Sequence, residues 1–281
     1  MDVTAGAREA VTPPVLVDYF AMDDRRRLSF GGVAELYDRS RPSYPSALVD
    51  GVLEFAGAGE GDRALEVGAG TGKATVLFAE RGLEVVAIEP SAEMAAVARR
   101  NCAAHENVTI EQTEFERYRP DGRPFRLVFS AQAWHWIDPT VGYAAARAAL
   151  EPGGALAVFW NAPNWRATEV HDEVAEAYRR NGRGDARDDP LNPNAPPERE
   201  DWPEEIAAAP GFDDAEVRTY PWRMNYTTEQ YLDLLGTHSA NVILEDAQRE
   251  RLLSDIAGVV DARGGAFELV YVTRLCLARA S

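Results

Sequence analysis

The run Arg63-Ala64-Leu65-Glu66-Val67-Gly68-Ala69-Gly70-Thr71-Gly72-Lys73 decides how this chain folds. Arg63 to Val67 has the composition of a buried strand, the glycines make a tight turn, and a helical pattern runs from Lys73 to Arg81. Gly68 and Gly70 permit backbone angles and a close ligand approach that a side chain would block. The helix that opens beyond them offers N–H groups without intrahelical partners. A dinucleotide fingerprint would need its third glycine where this chain has Lys73, a side chain that obstructs close helix–strand packing. The third glycine is Gly72 instead, which disfavours a nicotinamide enzyme. Glu66, two residues before Gly68, suits an ammonium group and is an awkward neighbour for a pyrophosphate.

Outward from this turn the chain alternates. Glu84 to Ile88 reads as a second strand, closed by Glu89, whose carboxylate can accept hydrogen bonds from both hydroxyls of a ribose and would repel a 2′-phosphate. Ser91 is placed to cap an Ala-rich helix reaching about Ala104. Strands are predicted at Val108 to Ile110, Phe125 to Phe129 and Ala155 to Trp160, with a helix from Pro139 to Leu150 stopped by Pro152-Gly153-Gly154. Alternation at this spacing predicts an α/β fold, a doubly wound parallel sheet with helices on both faces. After Trp160 the pattern changes. Helices are expected at Val170 to Arg180, Trp202 to Ala209, Thr228 to Thr237 and Glu245 to Ala262, and strands at Ala215 to Trp222 and Phe267 to Ala278. Asn181 to Glu200, rich in Gly, Pro, Asn and Asp, reads as a mobile loop. Before the core, residues 1 to about 14 read as a loose tail and Val15 to Phe30 as a helix. The pair Pro42 and Pro45 makes Tyr37 to Pro45 an extended or turning segment.

Composition narrows the partners. A formal charge of −17 over 281 residues opposes nucleic acid and anionic membrane at long range, and favours a small or cationic substrate. Cys102 and Cys276 are too few for a disulfide framework or a zinc site, which fits a reducing cytoplasm. No secretory signal or membrane-length apolar run is visible, and no metal cluster is expected.

These motifs together resemble the class I S-adenosylmethionine-dependent methyltransferase superfamily, and within it the small-molecule methyltransferase domain family. The resemblance runs from about Tyr37 to Arg279 and rests on Glu66 to Gly72, Glu89, the Ser91-x-x-Met94 step, Thr113-Glu114-Phe115-Glu116, Ser130 to Trp136 and Leu150 to Gly154. It implies a Rossmann-like seven-stranded sheet whose last strand is antiparallel. With the N-terminal tail and helix (1–30) set apart, it also implies a cofactor-binding core (31–163), a lid insertion (164–200), strand six (201–222), a second lid insertion (223–265) and the last strand (266–281). The cofactor it implies is S-adenosyl-L-methionine, leaving as S-adenosyl-L-homocysteine. The implied contacts are Glu66, Gly68, Ala69, Gly70, Glu89, Pro90, Met94, Glu114, Phe115 and Ser130, joined by Tyr37 and by Arg41, whose guanidinium fork suits a methionine carboxylate.

Methyl transfer from a sulfonium is an in-line displacement in which alignment does much of the work, and an oxygen or nitrogen nucleophile often needs a base as well. His135 is the base expected from the sequence, since it follows the fourth strand at the edge where a methyl group would emerge. Trp134 and Trp136 beside it are candidates to cage a methylsulfonium or a planar substrate. Trp160 and Asn161 at the end of strand five, with Tyr231 and His238 in the second insertion, are candidate substrate contacts. The expected function is methyl transfer to an O, N or C nucleophile of a small organic molecule, as in secondary metabolism. Two alternatives stay open: the same scaffold repurposed for chemistry such as cyclisation, and a non-catalytic partner module.

Overall fold

In the computed structural model, residues 34–184, 189, 191–194, 202–213 and 215–281 are described, Ser239 by its backbone alone. The tail and the helix expected at Val15 to Phe30 lie outside the described residues, as does much of the loop expected within 181–200.

Seven strands form one mixed sheet: β1 (Arg63–Val67), β2 (Glu84–Ile88), β3 (Val108–Glu111), β4 (Phe125–Ala131), β5 (Leu150–Pro163), β6 (Glu216–Thr227) and β7 (Ala266–Arg279). Their order across the sheet is β3-β2-β1-β4-β5-β7-β6. Strands β1 to β5 pair in parallel, and β7 runs antiparallel between β5 and β6. The order therefore reverses between β1 and β4, the place where such sheets open a crevice at the carboxyl ends of their strands.

Ten helices of the α type follow in chain order among the described residues: α1 (Ala34–Ser40), α2 (Ser46–Ala56), α3 (Lys73–Ala79), α4 (Ala92–Asn101), α5 (Pro139–Ala149), α6 (His171–Arg180), α7 (Trp202–Ala208), α8 (Thr228–Gly236), α9 (Ser239–Val242) and α10 (Asp246–Ala262). Ser91 caps α4 as expected, accepting the Met94 N–H at 3.3 Å. Two elements differ from the sequence reading. Tyr37 to Ser40 is helical, and the chain breaks only at Arg41, just before Pro42, where the restriction on the residue preceding a proline applies. The helix α2 was not foreseen; it has no polar side-chain cap, Pro45 standing at its N-cap.

Strand alternation sends neighbouring side chains to opposite faces of the sheet. Ala64, Val85, Leu127, Phe129 and Phe159 pack against Leu48, Val52 and Phe78 of α2 and α3. Leu65, Val67, Val128, Val158 and Trp160 pack with Tyr143 and Ala146 of α5 and with Trp202 and Ile206 of α7. The far halves of β6 and β7 continue as an antiparallel ribbon, Trp222 opposite Tyr271 through Thr227 opposite Ala266. On it sits a third core, built from Val174 and Tyr178 of α6, Tyr231 and Leu235 of α8, and Leu252, Ile256 and Val260 of α10. The helices that follow β5 and β6 thus share one layer. No helix among the described residues is long and apolar enough to cross a membrane.

Candidate active site at the sheet crossover

The floor of the crevice is the glycine turn. Gly68 and Ala69 both donate N–H bonds to the Ile88 carbonyl at 3.0 Å, which ties the turn to the end of β2. All three glycines have left-handed backbones, and two of them show different further needs. A Cβ on Gly68 would lie 2.4 Å from the Ala133 Cβ, so the turn is pressed against the segment after β4. A Cβ on Gly70 would meet nothing within 4 Å, because the turn opens there into space.

Two carboxylates flank this turn. Glu89 is buried and accepts the Gly70 N–H and the Ser91 N–H, one on each oxygen, at 2.9 Å. Glu66 is more deeply buried. Its Oε2 accepts the Thr75 hydroxyl at 2.5 Å, while Oε1 has no partner among the described residues. Burial raises the Glu66 pKa from its ordinary 4.5 to about 8, with Glu89 adding to the rise and the Thr75 bond opposing it. Thr71 Oγ1 is likewise buried and unpartnered beside them.

The walls and cover come from distant parts of the chain. Arg41 lies over the Tyr37 ring, 4.9 Å from its centroid. It donates through Nε to Thr237 Oγ1 and through Nη2 to the Thr237 carbonyl, both at 2.9 Å, fastening the segment after α1 to the end of α8. Asn161 ties the same segment to the sheet: its Nδ2 donates to the Ser43 carbonyl at 3.0 Å, and its Oδ1 accepts the Thr273 hydroxyl at 2.5 Å. Thr273 in turn accepts the Trp222 indole N–H at 2.9 Å. Gln132 has φ +59°, the only non-glycine with a positive φ among the described residues. Its backbone N–H bonds the Phe159 carbonyl and its side-chain amide donates to the Asn161 carbonyl. Tyr37, Arg41, Gln132 and Asn161 line a cavity over the glycine turn that is partly open to solvent.

The cavity gathers eight of the residues singled out from the sequence: Tyr37, Arg41, Glu66, Gly68, Ala69, Gly70, Asn161 and His238. Glu89 adjoins it through Gly70, with Pro90 next in the chain. Met94 is buried with Ala34 and Val97, Tyr37 packing on them. Ser130 is buried and donates to the Val67 carbonyl at 2.8 Å, holding β4 to β1 below the turn. Glu114 pairs with Arg117, and Phe115 packs against Trp134 with ring centroids 6.0 Å apart.

The remaining candidates lie elsewhere. Trp134 is buried in the core between Phe115 and Tyr143, outside the cavity lining. Trp160 projects to the face opposite Asn161, where it stacks on Trp202 at 4.7 Å and donates its indole N–H to His135 Nδ1 at 3.4 Å. His135 therefore goes with Trp160, and its ring packs against Trp136 at 4.6 Å. The residue is exposed as a whole, while desolvation of the ring by these neighbours pushes its pKa below the usual imidazole range. Tyr231 is fully buried in the helical layer, between Tyr226 and Phe267. The sequence reading missed Tyr44, Thr71, Lys73, Gln132, Leu191, Leu234 and Tyr271, all of which line the cavity. Tyr44, Thr71, Lys73 and Gln132 stand within motifs already quoted, whereas Leu191, Leu234 and Tyr271 reach the site only through the packing of the insertions.

The chain is similar to known proteins over this same region. Residues 64–154 match the model of a family described as a methyltransferase domain. An uncharacterized methyltransferase of Mycobacterium tuberculosis is 40% identical over 155 residues, covering 55% of this chain. The chain spans 60% of the length of that curated relative. A solved structure from Anaeromyxobacter dehalogenans, described as a putative type II methyltransferase, superposes with a TM-score of 0.63 at 27% identity, covering 85% of this chain and 97% of that one. A Haemonchus contortus phosphoethanolamine N-methyltransferase, solved with phosphomonomethylethanolamine and S-adenosylhomocysteine, shares the fold at 18% identity and TM-score 0.52, over 96% of this chain and 61% of that one.

Proposed function

We propose that the chain is a class I S-adenosylmethionine-dependent methyltransferase that transfers a methyl group to an O, N or C nucleophile of a small organic molecule. The observation that carries this reading is Glu66, a buried carboxylate on the cavity wall whose Oε1 has no partner among the described residues. An isolated buried acceptor is costly, and the ammonium of a methionine moiety answers it directly.

The other groups fit the same cofactor. Glu89, oriented by the Gly70 and Ser91 N–H bonds at the end of β2, is the carboxylate placed to accept from ribose hydroxyls. Gly68 to Thr71 give backbone at close quarters and a hydroxyl, and Met94 with Tyr37 form an apolar surface suited to the flat adenine. Bound there, the cofactor supplies an electrophilic methyl group on a sulfonium. The chain's own work is to hold, orient and exclude water. Arg41 and Asn161 fasten the segment from Tyr37 to Tyr44 over the cavity, and the helical layer closes the remaining side as a lid formed by the two insertions. Alignment of this kind accounts for a large share of rate in such displacements.

The overall negative charge works against a nucleic-acid substrate and favours a small acceptor. The two cysteines are free and buried, in keeping with a cytoplasmic protein. Calorimetric titration of S-adenosylmethionine and S-adenosylhomocysteine into the wild type and Glu89→Ala tests the proposal. Micromolar binding that the variant loses supports it. Failure of the folded wild type to bind either compound overturns it.

A further inference from the structure

His238 occupies the short turn between α8 and α9 and is one of the groups lining the cavity. Its backbone is fixed: the N–H bonds the Leu235 carbonyl at 3.2 Å, and its carbonyl accepts from Asn241 and Val242 at 2.9 Å. The preceding residue, Thr237, is held by both Arg41 bonds. The side chain is treated differently. It is only 8% exposed, yet no hydrogen bond to the imidazole is present among the described residues. A fixed imidazole on a cavity wall that takes no hydrogen bond from the described residues is available to a ligand group.

The surroundings specify that group. Burial and the nearby Arg41 cation both push the imidazole pKa well below its usual range, so the ring is neutral and one nitrogen is an acceptor. Arg41 and Lys73 are the cations on the same cavity wall, and the titratable side chains beside them are Tyr37, Tyr44, Glu66 and Tyr271. An ammonium acceptor would meet repulsion from Arg41, whereas an uncharged hydroxyl would not. Leu191, Leu234, Pro163 and the rings of Tyr44 and Tyr271 supply an apolar, partly aromatic frame.

Resting on the methyltransferase reading above, we infer that His238 is the hydrogen-bond acceptor for the substrate, and that the substrate carries an uncharged hydroxyl on a flat apolar skeleton, a phenol in chemical class. The turn after α8 thereby delivers the group that recognises the acceptor, and His135 on the other face of β5 does not take part.

The full chain saturated with S-adenosylhomocysteine is titrated calorimetrically with 2-naphthol and with its methyl ether, 2-methoxynaphthalene. The wild type is expected to prefer the naphthol by about tenfold, the effect of leaving one buried acceptor unpaired. His238→Phe is expected to reduce that preference below about twofold with S-adenosylhomocysteine affinity unchanged. His238→Gln, which keeps an acceptor at the site, should recover part of the preference, and this covers the case in which the Phe variant fails to fold. The inference is overturned if the wild type does not discriminate, if His238→Phe discriminates as the wild type does, or if neither naphthalene binds while S-adenosylhomocysteine does. Absence of S-adenosylhomocysteine binding overturns the underlying methyltransferase reading instead.

Discussion

Thr75 donates its hydroxyl to Glu66 from one turn inside α3, at 2.5 Å, and in doing so satisfies only one of the two carboxylate oxygens. The helix that packs under the glycine turn thus aims the carboxylate and leaves half of it open. Its raised pKa follows from that arrangement, and so does a pH signature.

In the unfolded chain Glu66 titrates near its ordinary 4.5, and in the folded chain near about 8. Between these values the folded state holds a proton that the unfolded state has lost. The Glu66 contribution to stability is therefore complete below about 4.5, declines through that window and is flat above about 8. Denaturant melts of wild type and Glu66→Gln across this range should show the wild type losing on the order of a few kcal/mol relative to the variant. Cofactor affinity should rise with pH up to about 8, because the ammonium selects the ionised carboxylate. A pH-independent difference between the two proteins would contradict the assignment.

Gly68 and Gly70 should respond differently to alanine. Gly68→Ala meets both a left-handed backbone and the Ala133 methyl at 2.4 Å, and should cost about 3 kcal/mol. Gly70→Ala has free space and bears only the backbone cost of about 1–2 kcal/mol. Its new methyl occupies the cavity, so S-adenosylhomocysteine affinity should fall more than thermal stability does. Melting temperatures and calorimetry on both variants check this.

Asn161, on the cavity wall, is also a tie between two partners. Asn161→Asp keeps the oxygen that accepts from Thr273 and loses the N–H that holds the Ser43 carbonyl. The segment around Arg41 should loosen, and trypsin should cleave the Arg39–Ser40 bond at least several-fold faster than in the wild type. Unchanged cleavage would mean that the Arg41 bonds to Thr237 hold the segment alone.

His135 accepts only a long bond from Trp160 and lies outside the cavity lining. His135→Ala should leave S-adenosylhomocysteine affinity within about twofold and cost about 1 kcal/mol of stability. A large loss of affinity would place the histidine closer to the cofactor than its packing indicates.

The parallel core was legible because its signals are local. The turn from Gly68 to Gly72, the strand-end Glu89 and the cap at Ser91 each declare themselves within a few residues, and all stand where the spacing put them. The aromatic candidates were harder to read, because strand alternation decides their fate. Trp160 and Asn161 are neighbours in sequence, yet one projects into the core beside α7 and the other into the cavity. Trp134, expected to face a ligand, fills the space between Phe115 and Tyr143. The second insertion offered two polar aromatics, Tyr231 and His238, and only the packing of α8 on β7 separates the buried ring from the one lining the cavity. Tyr271 gave no local signal, since it reaches the cavity through its place on the ribbon.

That ribbon also gives the protein an optical consequence. Trp222 stacks on Tyr271 at 4.8 Å, and its indole N–H ends the chain of bonds through Thr273 and Asn161 to the Ser43 carbonyl. Of the six tryptophans in the chain, this one is coupled both to a cavity wall and to the segment covering it. Its fluorescence is a built-in indicator of occupancy, and a protein keeping Trp222 while the other five are phenylalanine would report ligand arrival by emission without an added dye.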